Sequence, residues 1–422
     1  MLVQMLETLP PDDLDKFAHY VGASGVQNVA ATCHALQDLL KPYFFRSVHL
    51  GRLDDGSDFL WEVSMRYHHK VRSLSMSFDG PLLEQHIQQV SNILDSLPYL
   101  KQLSFAGVRH IQAHHLWQWL AAFKDRLRGL EIWGSCEQPS GPRREIIPLN
   151  LLADMPHLTH LGIGSLPGLT SGKVVNILSH IPSLTSLILR DPFDDAVLDF
   201  EPWFFRKLRR LTLNTTNLSF YQLHKLVDYG SGLREVALYS LKEANGRFLS
   251  RVGSTHWSEL RALDLRGIQA GNPPIPQEYL HQFFTHNRRY LWSLQCKYIQ
   301  LNDPCLYLLA TVNPQLRSVR LFACPITNEG VCRFLELAPQ LEEFRLGTTA
   351  RGRLTTACLP QRLGSNRLRH LVLDIHRAFP DDFNSLTDQL QNLEKLVLPR
   401  SAELDKFEFL KSYCPWLELK FT

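Results

Sequence analysis

The sequence predicts an α/β solenoid, a stack of strand–turn–helix units, with a short all-α head in front of it. Two observations carry this. The phrase apolar–x–x–apolar–x–apolar occurs thirteen times between Val71 and Leu398, centred on Leu74, Leu103, Leu130, Leu161, Leu187, Leu211, Val236, Leu263, Leu294, Val319, Phe344, Leu371 and Leu396. The first fifty residues lack the phrase and instead space their apolar residues as helices do. A single core does not need such regularity. A stack does, because each unit buries its apolar edge only against its neighbours. At 422 residues the chain also exceeds the usual size of one compact core.

The head begins at Pro10 and Pro11, with Asp12 and Asp13 in the first turn, as a helix start prefers. Leu14, Phe17, Ala18 and Val21 share one helical face, and Gly22 and Gly25 break it. Val29, Cys33, Leu36 and Leu40 mark a second stripe, shared by two short helices bent near Thr32. Phe44-Phe45-Arg46-Ser47-Val48-His49-Leu50 is strand-like and is expected to start the stack. A piece of about 40 residues has little core of its own. It needs the first repeat behind it and a partner in front.

The repeats recur about every 27 residues, within the range of roughly 20–29 for leucine-rich repeats. In the clearest unit, Val319 and Leu321 alternate with polar residues and predict a short strand with one buried side. Cys324 stands where strand turns to helix, and its small side chain suits a narrow turn. Thr327 is placed to cap a helix carrying Val331, Phe334 and Leu335, and Pro339 ends that helix before Leu341. This unit resembles the cysteine-containing type of leucine-rich repeat found in ubiquitin-ligase receptors. Other units are looser. Helices end on Leu97-Pro98-Tyr-Leu100, Met155-Pro156-His-Leu158 and Ile181-Pro182-Ser-Leu184, while Val108, Leu166, Leu241 and Ile268 stand at the turn position. Cys136–Glu145, Lys242–Thr255 and Gln269–Gln277 read as insertions, either a binding rim or tolerated loops.

Composition narrows the function classes. Apolar residues at 44% and charged residues at 21% are ordinary for a folded soluble protein. A net charge of +3 on this length argues for neither nucleic acid nor membrane as a partner. The start lacks the basic flank and apolar core of a secretion signal, and no uncharged apolar run nears 18 residues. Eight scattered cysteines without a Cys-x-x-Cys pair suit a reduced protein of the cytoplasm or nucleus.

The head resembles an F-box, especially the fungal form. The matching residues are Leu9-Pro10-Pro11-Asp12, Leu14, Phe17, Tyr20 and Val21, Thr32-Cys33-His34-Ala35-Leu36, Leu39, Tyr43 and Arg46-Ser-Val48-His-Leu50. The chain thus divides into an F-box-like domain, 1–50, and a leucine-rich-repeat domain, 51–422. The resemblance implies a substrate receptor of an SCF-type cullin ubiquitin ligase, the fold being a repeat horseshoe behind a three-helix F-box. The F-box would bind a Skp-type adaptor, and through it a cullin, by Leu9, Pro10, Leu14, Phe17, Val29, Cys33 and Leu36. Phe17, Val29 and Cys33 also read as core positions. Asp13 stands where the family has an apolar residue, and Ser24-Gly25-Val26 where it has an acidic-Leu-Leu phrase. The alternative is therefore a non-ligase scaffold with a degenerate F-box.

Strand residues third, fifth and seventh in each phrase point away from the core by the two-residue alternation. Arg266, Lys297 and Arg320 are expected in one row, with Arg345 beside it and Tyr239 and Phe322 interleaved. Basic and aromatic side chains are enriched at binding hot spots. The face reads either as a site for an acidic or phosphorylated target segment or as a solvated mixed-charge sheet.

Enzyme signatures fail. His110 and His114 are one helical turn apart but lack the Glu of His-Glu-x-x-His and a third ligand. Gly162-Ile-Gly164-Ser-Leu-Pro-Gly168 lies within a repeat and lacks the Lys-Ser/Thr of a phosphate loop. Cys33 has His34 beside it, which is not the spatial pairing a nucleophile needs. The expectation is a non-catalytic protein without a cofactor or metal.

Overall fold

The computed structural model describes residues 46–50, 68–78, 80, 82–108, 111–134, 150–164, 166, 171–190, 200–214, 220–239, 257, 259–266, 277–286, 290–297, 299, 301–347, 354–360, 362–373, 375–377, 392–398 and 417–421. The helical head, with Leu9, Pro10, Leu14, Phe17, Val29, Cys33 and Leu36, lies outside the described residues, as do the three inserted stretches up to residue 276. The chain divides into two compact units, Met1–Asp195 and Ala196–Thr422.

In the first unit the order is β1 (Ser47–Leu50), β2 (Ser73–Ser77), α1 (Glu84–Asp95), β3 (Gln102–Ala106), α2 (Ala113–Ala121), β4 (Gly129–Trp133), α3 (Asn150–Ala153), β5 (His160–Gly164), α4 (Ser171–Ser179) and β6 (Ser186–Arg190). All six strands are parallel and lie side by side in chain order. Their register aligns Val48, Leu74, Leu103, Leu130, Leu161 and Leu187. The strand-like run at Val48 does start the stack.

The second unit holds α5 (Pro202–Lys207), β7 (Arg210–Asn214), α6 (Phe220–Tyr229), β8 (Glu235–Tyr239), β9 (Ala262–Arg266), α7 (Gln277–His286), β10 (Ser293–Lys297), α8 (Asp303–Val312), β11 (Ser318–Phe322), α9 (Asn328–Leu337) and β12 (Glu343–Gly347). Then follow β13 (Leu354–Thr355), a single 3-10 turn (Thr356–Cys358), β14 (His370–Leu373), β15 (Ile375–Arg377), β16 (Lys395–Leu398) and β17 (Glu418–Phe421). The sheet runs from β7 in chain order to β12, then β14, β16 and β17, while β13 and β15 pair separately. That small pair breaks the strand–helix alternation and has no counterpart in the phrase.

All thirteen phrase centres fall in strands. The residues three before them, from Val71 to Leu393, are buried as well, as are the centres themselves. Burying one such side chain is worth roughly 1.5–3 kcal/mol, against about 0–1 for an exposed ion pair. The apolar phrase therefore holds the stack together. Strand β17 also carries the spacing, as Trp416-Leu-Glu-Leu419-Lys-Phe421, with Leu419 in register with Leu396. It opens on Trp416, where the thirteen others open on Val71 or a leucine.

Helix α9 forms as its sequence dictates. Val331, Phe334 and Leu335 are buried, and Thr327 caps the start by accepting from Gly330 N at 3.4 Å. A second cap comes from the preceding helix: Asp303 accepts from Thr327 N at 2.9 Å and from Thr327 Oγ1 at 2.5 Å. Cys324 is fully buried in the turn, its thiol 3.6 Å from the Phe322 carbonyl, and burial pushes its pKa up to about 12. It is a packing residue. Among the described residues no helix is long and apolar enough to cross a membrane. Nor does any described group of three or more His, Cys, Asp or Glu stand ready to hold a metal ion.

Candidate protein-binding surface

The parallel register sorts the outward side chains of the second unit into rows. One row runs Asp264, Gln295, Arg320, Arg345 and Val372. A second sets Arg266 beside Lys297, then Phe322, then Gly347. Asn214 and Tyr239 are partners at the same strand position on β7 and β8. The single basic row expected from the sequence is thus two rows. Arg266 and Lys297 are seventh in their phrases and Arg320 is fifth, so Arg320 lies one row over, with Arg345 directly opposite it.

Arg320 and Arg345 are not two independent cations either. Both bind Glu343, which is only 7% exposed and third in its phrase. Arg320 donates to Oε2 from Nε at 3.0 Å and from Nη2 at 2.8 Å, Ser318 Oγ donates at 2.9 Å, and Arg345 Nε donates to Oε1. Burial alone would push the Glu343 carboxyl up, but the Arg320 and Ser318 hydrogen bonds and both guanidinium charges outweigh it and hold it below its ordinary value. One carboxylate between two guanidiniums leaves one unit of positive charge on a fixed, half-exposed platform. Charge-assisted bonds of this kind are directional, so the arginine heads are pre-positioned.

Tyr239 is tied down too, donating from its hydroxyl to Asp264 Oδ2 at 2.8 Å. The Phe322 ring lies over Gly347, where an added Cβ would stand 2.6 Å from Cδ1. Lys297 is partly exposed beside Phe322. Arg266 is placed by its strand and its pairing with Lys297; its side chain lies outside the described set. The structure therefore brings together Arg320 with Arg345, and Arg266, Lys297 and Phe322, but not all six residues.

The first unit carries a separate polar cluster that sequence reasoning did not single out. Glu131 accepts from Trp133 Nε1 at 3.2 Å and from Ser104 Oγ at 3.4 Å, and its Oε1 lies 3.0 Å from His160 Nε2. A carboxylate offers no proton, so His160 carries one on Nε2; Nδ1 faces Ser186 Oγ at 2.7 Å. The hydrogen bond from His160 is the main cause holding the Glu131 carboxyl below its ordinary value, against the upward push of burial. The Arg190 guanidinium sits 4.8 Å from the centre of the Trp133 ring. Glycines at the fifth and seventh phrase positions of β5, next to a tryptophan on β4, were the available signal. In the sequence Gly162 and Gly164 invite comparison with a phosphate loop; in the structure they are the floor beneath an indole.

No family model matches the chain, and no curated protein does. Among solved structures, the complex of Rad7 and Elc1 in yeast matches with a TM-score of 0.49 at 15% identity, over 94% of this chain and 88% of that one. An internalin from Listeria monocytogenes matches with a TM-score of 0.44 at 18% identity, over 80% and 87%.

Proposed function

We propose that the chain is a non-catalytic substrate receptor of a cullin-type ubiquitin ligase. Its head binds a Skp-type adaptor, and the sheet face of its second unit holds a target protein. The observation that carries the binding half is the Glu343 platform, a face whose arginine heads are fixed before any partner arrives. Preorganisation of this kind lowers the ordering cost of association. The ligase half rests on the F-box resemblance of residues 6–50. Catalysis in such an assembly is proximity, because the receptor raises the local concentration of target lysines near a charged ubiquitin carrier.

The test is co-purification of the full chain with a Skp-type adaptor, wild type against a Pro10→Ala/Leu14→Ala variant. Capture lost in the variant supports the reading; no capture by wild type defeats the ligase half. Proximity labelling with Arg266→Glu/Lys297→Glu tests the other half, and an unchanged set of labelled proteins defeats the assigned face. Arg320 is left alone in that variant because reversing it would break the Glu343 network. Asp13 and Ser24-Gly25-Val26 favour a second reading, a repeat scaffold without a ligase. That reading requires partners to be captured with no adaptor.

A further inference from the structure

The residue just after the first apolar position of each phrase lies at the leading edge of its strand. Backbone bonds stack these residues directly: Arg72 N donates to Arg46 O at 2.9 Å, Lys101 N to Arg72 O at 2.8 Å, and Arg128 N to Lys101 O at 2.8 Å. In the first unit this edge therefore reads Arg46, Arg72, Lys101, Arg128 on four consecutive strands, about 5 Å apart. Thr159 and Thr185 end the run, with Thr159 Oγ1 donating to Arg128 O at 3.0 Å.

The second unit uses the same position differently. Arg234 pairs with Glu259 at 3.0 Å, Arg317 with Glu342 at 3.7 Å, and Arg369 with Glu394 at 3.3 Å. Glu342 and Glu394 stand at that very position on the next strand, so charge alternates from Arg317 onward. Before it Arg209, Arg234 and Arg261 stack at the same position, and there the middle arginine, Arg234, is the one paired with Glu259. In the first unit charge does not alternate. Among the described residues Arg72, Lys101 and Arg128 form no ion pair; Lys101 and Arg128 are exposed, and the Arg72 guanidinium rests on Tyr99, 4.8 Å from its ring centre. Like charges on facing strand positions are destabilising. Three cations in a row with no ion pair among the described residues, where the matching run of the other unit is interrupted by the Arg234–Glu259 pair, form an edge that an anionic partner would relieve.

We infer that Arg72, Lys101 and Arg128 form a docking edge for an extended acidic segment of a partner protein. Two steps of about 5 Å, from Arg72 to Arg128, match about three residues of extended chain at about 3.3 Å each. Arginine and lysine on long arms reach its carboxylates, the arginine in bidentate fashion. A single nucleic-acid strand fits less well. Such sites interleave stacking aromatics with the cations, and Tyr99, the aromatic that the described residues place against this edge, already has a face covered by Arg72. The net charge of +3 also gives no long-range field of the kind that gathers nucleic acid. The edge is distinct from the Glu343 platform, and the inference does not rest on the ligase reading.

The test is fluorescence anisotropy of fluorescein-labelled hexaglutamate with the full chain at low salt, and of a labelled twelve-nucleotide poly-uridine in parallel. Hexaglutamate should bind, weaken with added salt, and lose at least about tenfold in affinity in Arg72→Glu/Lys101→Glu/Arg128→Glu. Lys101→Glu alone covers the case in which the triple variant does not fold. It should weaken binding while Lys124→Glu, with the same charge change outside the row, does not. A residue present only for the stack would lower the melting temperature when reversed; Lys101→Glu should leave it unchanged or raise it by relieving repulsion. No hexaglutamate binding by wild type, equal binding by Lys101→Glu, or tighter binding of poly-uridine than of hexaglutamate overturns the inference.

Discussion

Trp133 of β4 occupies the space above Gly162 of β5 that a side chain there would fill: an added Cβ would stand 2.8 Å from Cζ2 of the indole. Gly164, two residues on, has Trp133 Cε3 at 3.0 Å and the backbone oxygen of Arg190 at 2.8 Å from the same hypothetical atom. One strand, β5, gives up two side chains so that one tryptophan can lie over it and meet Arg190 of the next strand. The Glu131–His160 pair is held in place by the same indole, through its Nε1 hydrogen.

Gly164→Ala should therefore destabilise the first unit by about 1–3 kcal/mol, the usual cost of forcing extra volume into a packed site. The obstacle includes backbone, which a rotamer change cannot move. Thermal unfolding followed by tryptophan fluorescence measures it; a melting temperature equal to wild type would contradict the packing described.

Glu343→Gln should cost about 1.5–3 kcal/mol, because two guanidiniums lose their charged acceptor. The pH dependence follows from the direction of its shift. The folded carboxyl titrates below its ordinary value of 4.5, so its stabilising effect is fully present above that value. It is lost as pH falls through the lower, folded value. Denaturant midpoints of wild type and Glu343→Gln should converge as the solution is acidified from pH 5 to below 4; parallel curves would contradict the network.

Lys207 behaves in the opposite sense. It lies against Trp203 and Phe204, its Nζ 5.0 and 4.9 Å from their ring centres, and burial lowers its pKa from 10.5 to about 8. The ring faces attract the cation, yet loss of water outweighs them. A depressed lysine opposes folding most below its folded pKa, and the opposition fades as pH rises from about 8 toward 10.5. Lys207→Met should be more stable than wild type at pH 7, with the difference shrinking by pH 10; urea titrations at both values decide it.

How far all this was legible differs by level. The strands were legible because one buried phrase dictates them, and it stays in register from Val48 to Leu187 in the first unit and from Leu211 to Leu396 in the second. The outward face was legible in composition but not in arrangement. Sequence alone aligned Arg266, Lys297 and Arg320, whereas seventh and fifth phrase positions form separate rows. Glu343 went unmarked as an organiser because its meaning lies in two arginines brought to it, one from its own strand and one from the strand before. Gly162 and Gly164 could be rejected as a phosphate loop but given no role, for the same reason: an absent side chain is informative only once its neighbour's indole is in view. The β13–β15 pair follows no repeat, so no period announced it.

Asp303→Ala should destabilise the second unit by about 1 kcal/mol or more, since it removes both bonds to Thr327. Gly330→Ala should do the same for a different reason, because its added carbon would collide with Asp303 Oδ1. The two losses should not add in the double variant, since removing Asp303 removes the collision. Chemical denaturation of the four proteins completes that cycle, and full additivity would refute it.

The bond from Asp303 to Thr327 also sets where the chain can be cut. Helix α9 begins on a carboxylate that belongs to the helix before it. A repeat excised at its own phrase boundary would leave with its leucines intact and its starting signal behind. The smallest transplantable piece that contains α9 is accordingly a donor and an acceptor together. Grafting or duplicating the α9 repeat will succeed together with the α8 repeat before it and fail alone.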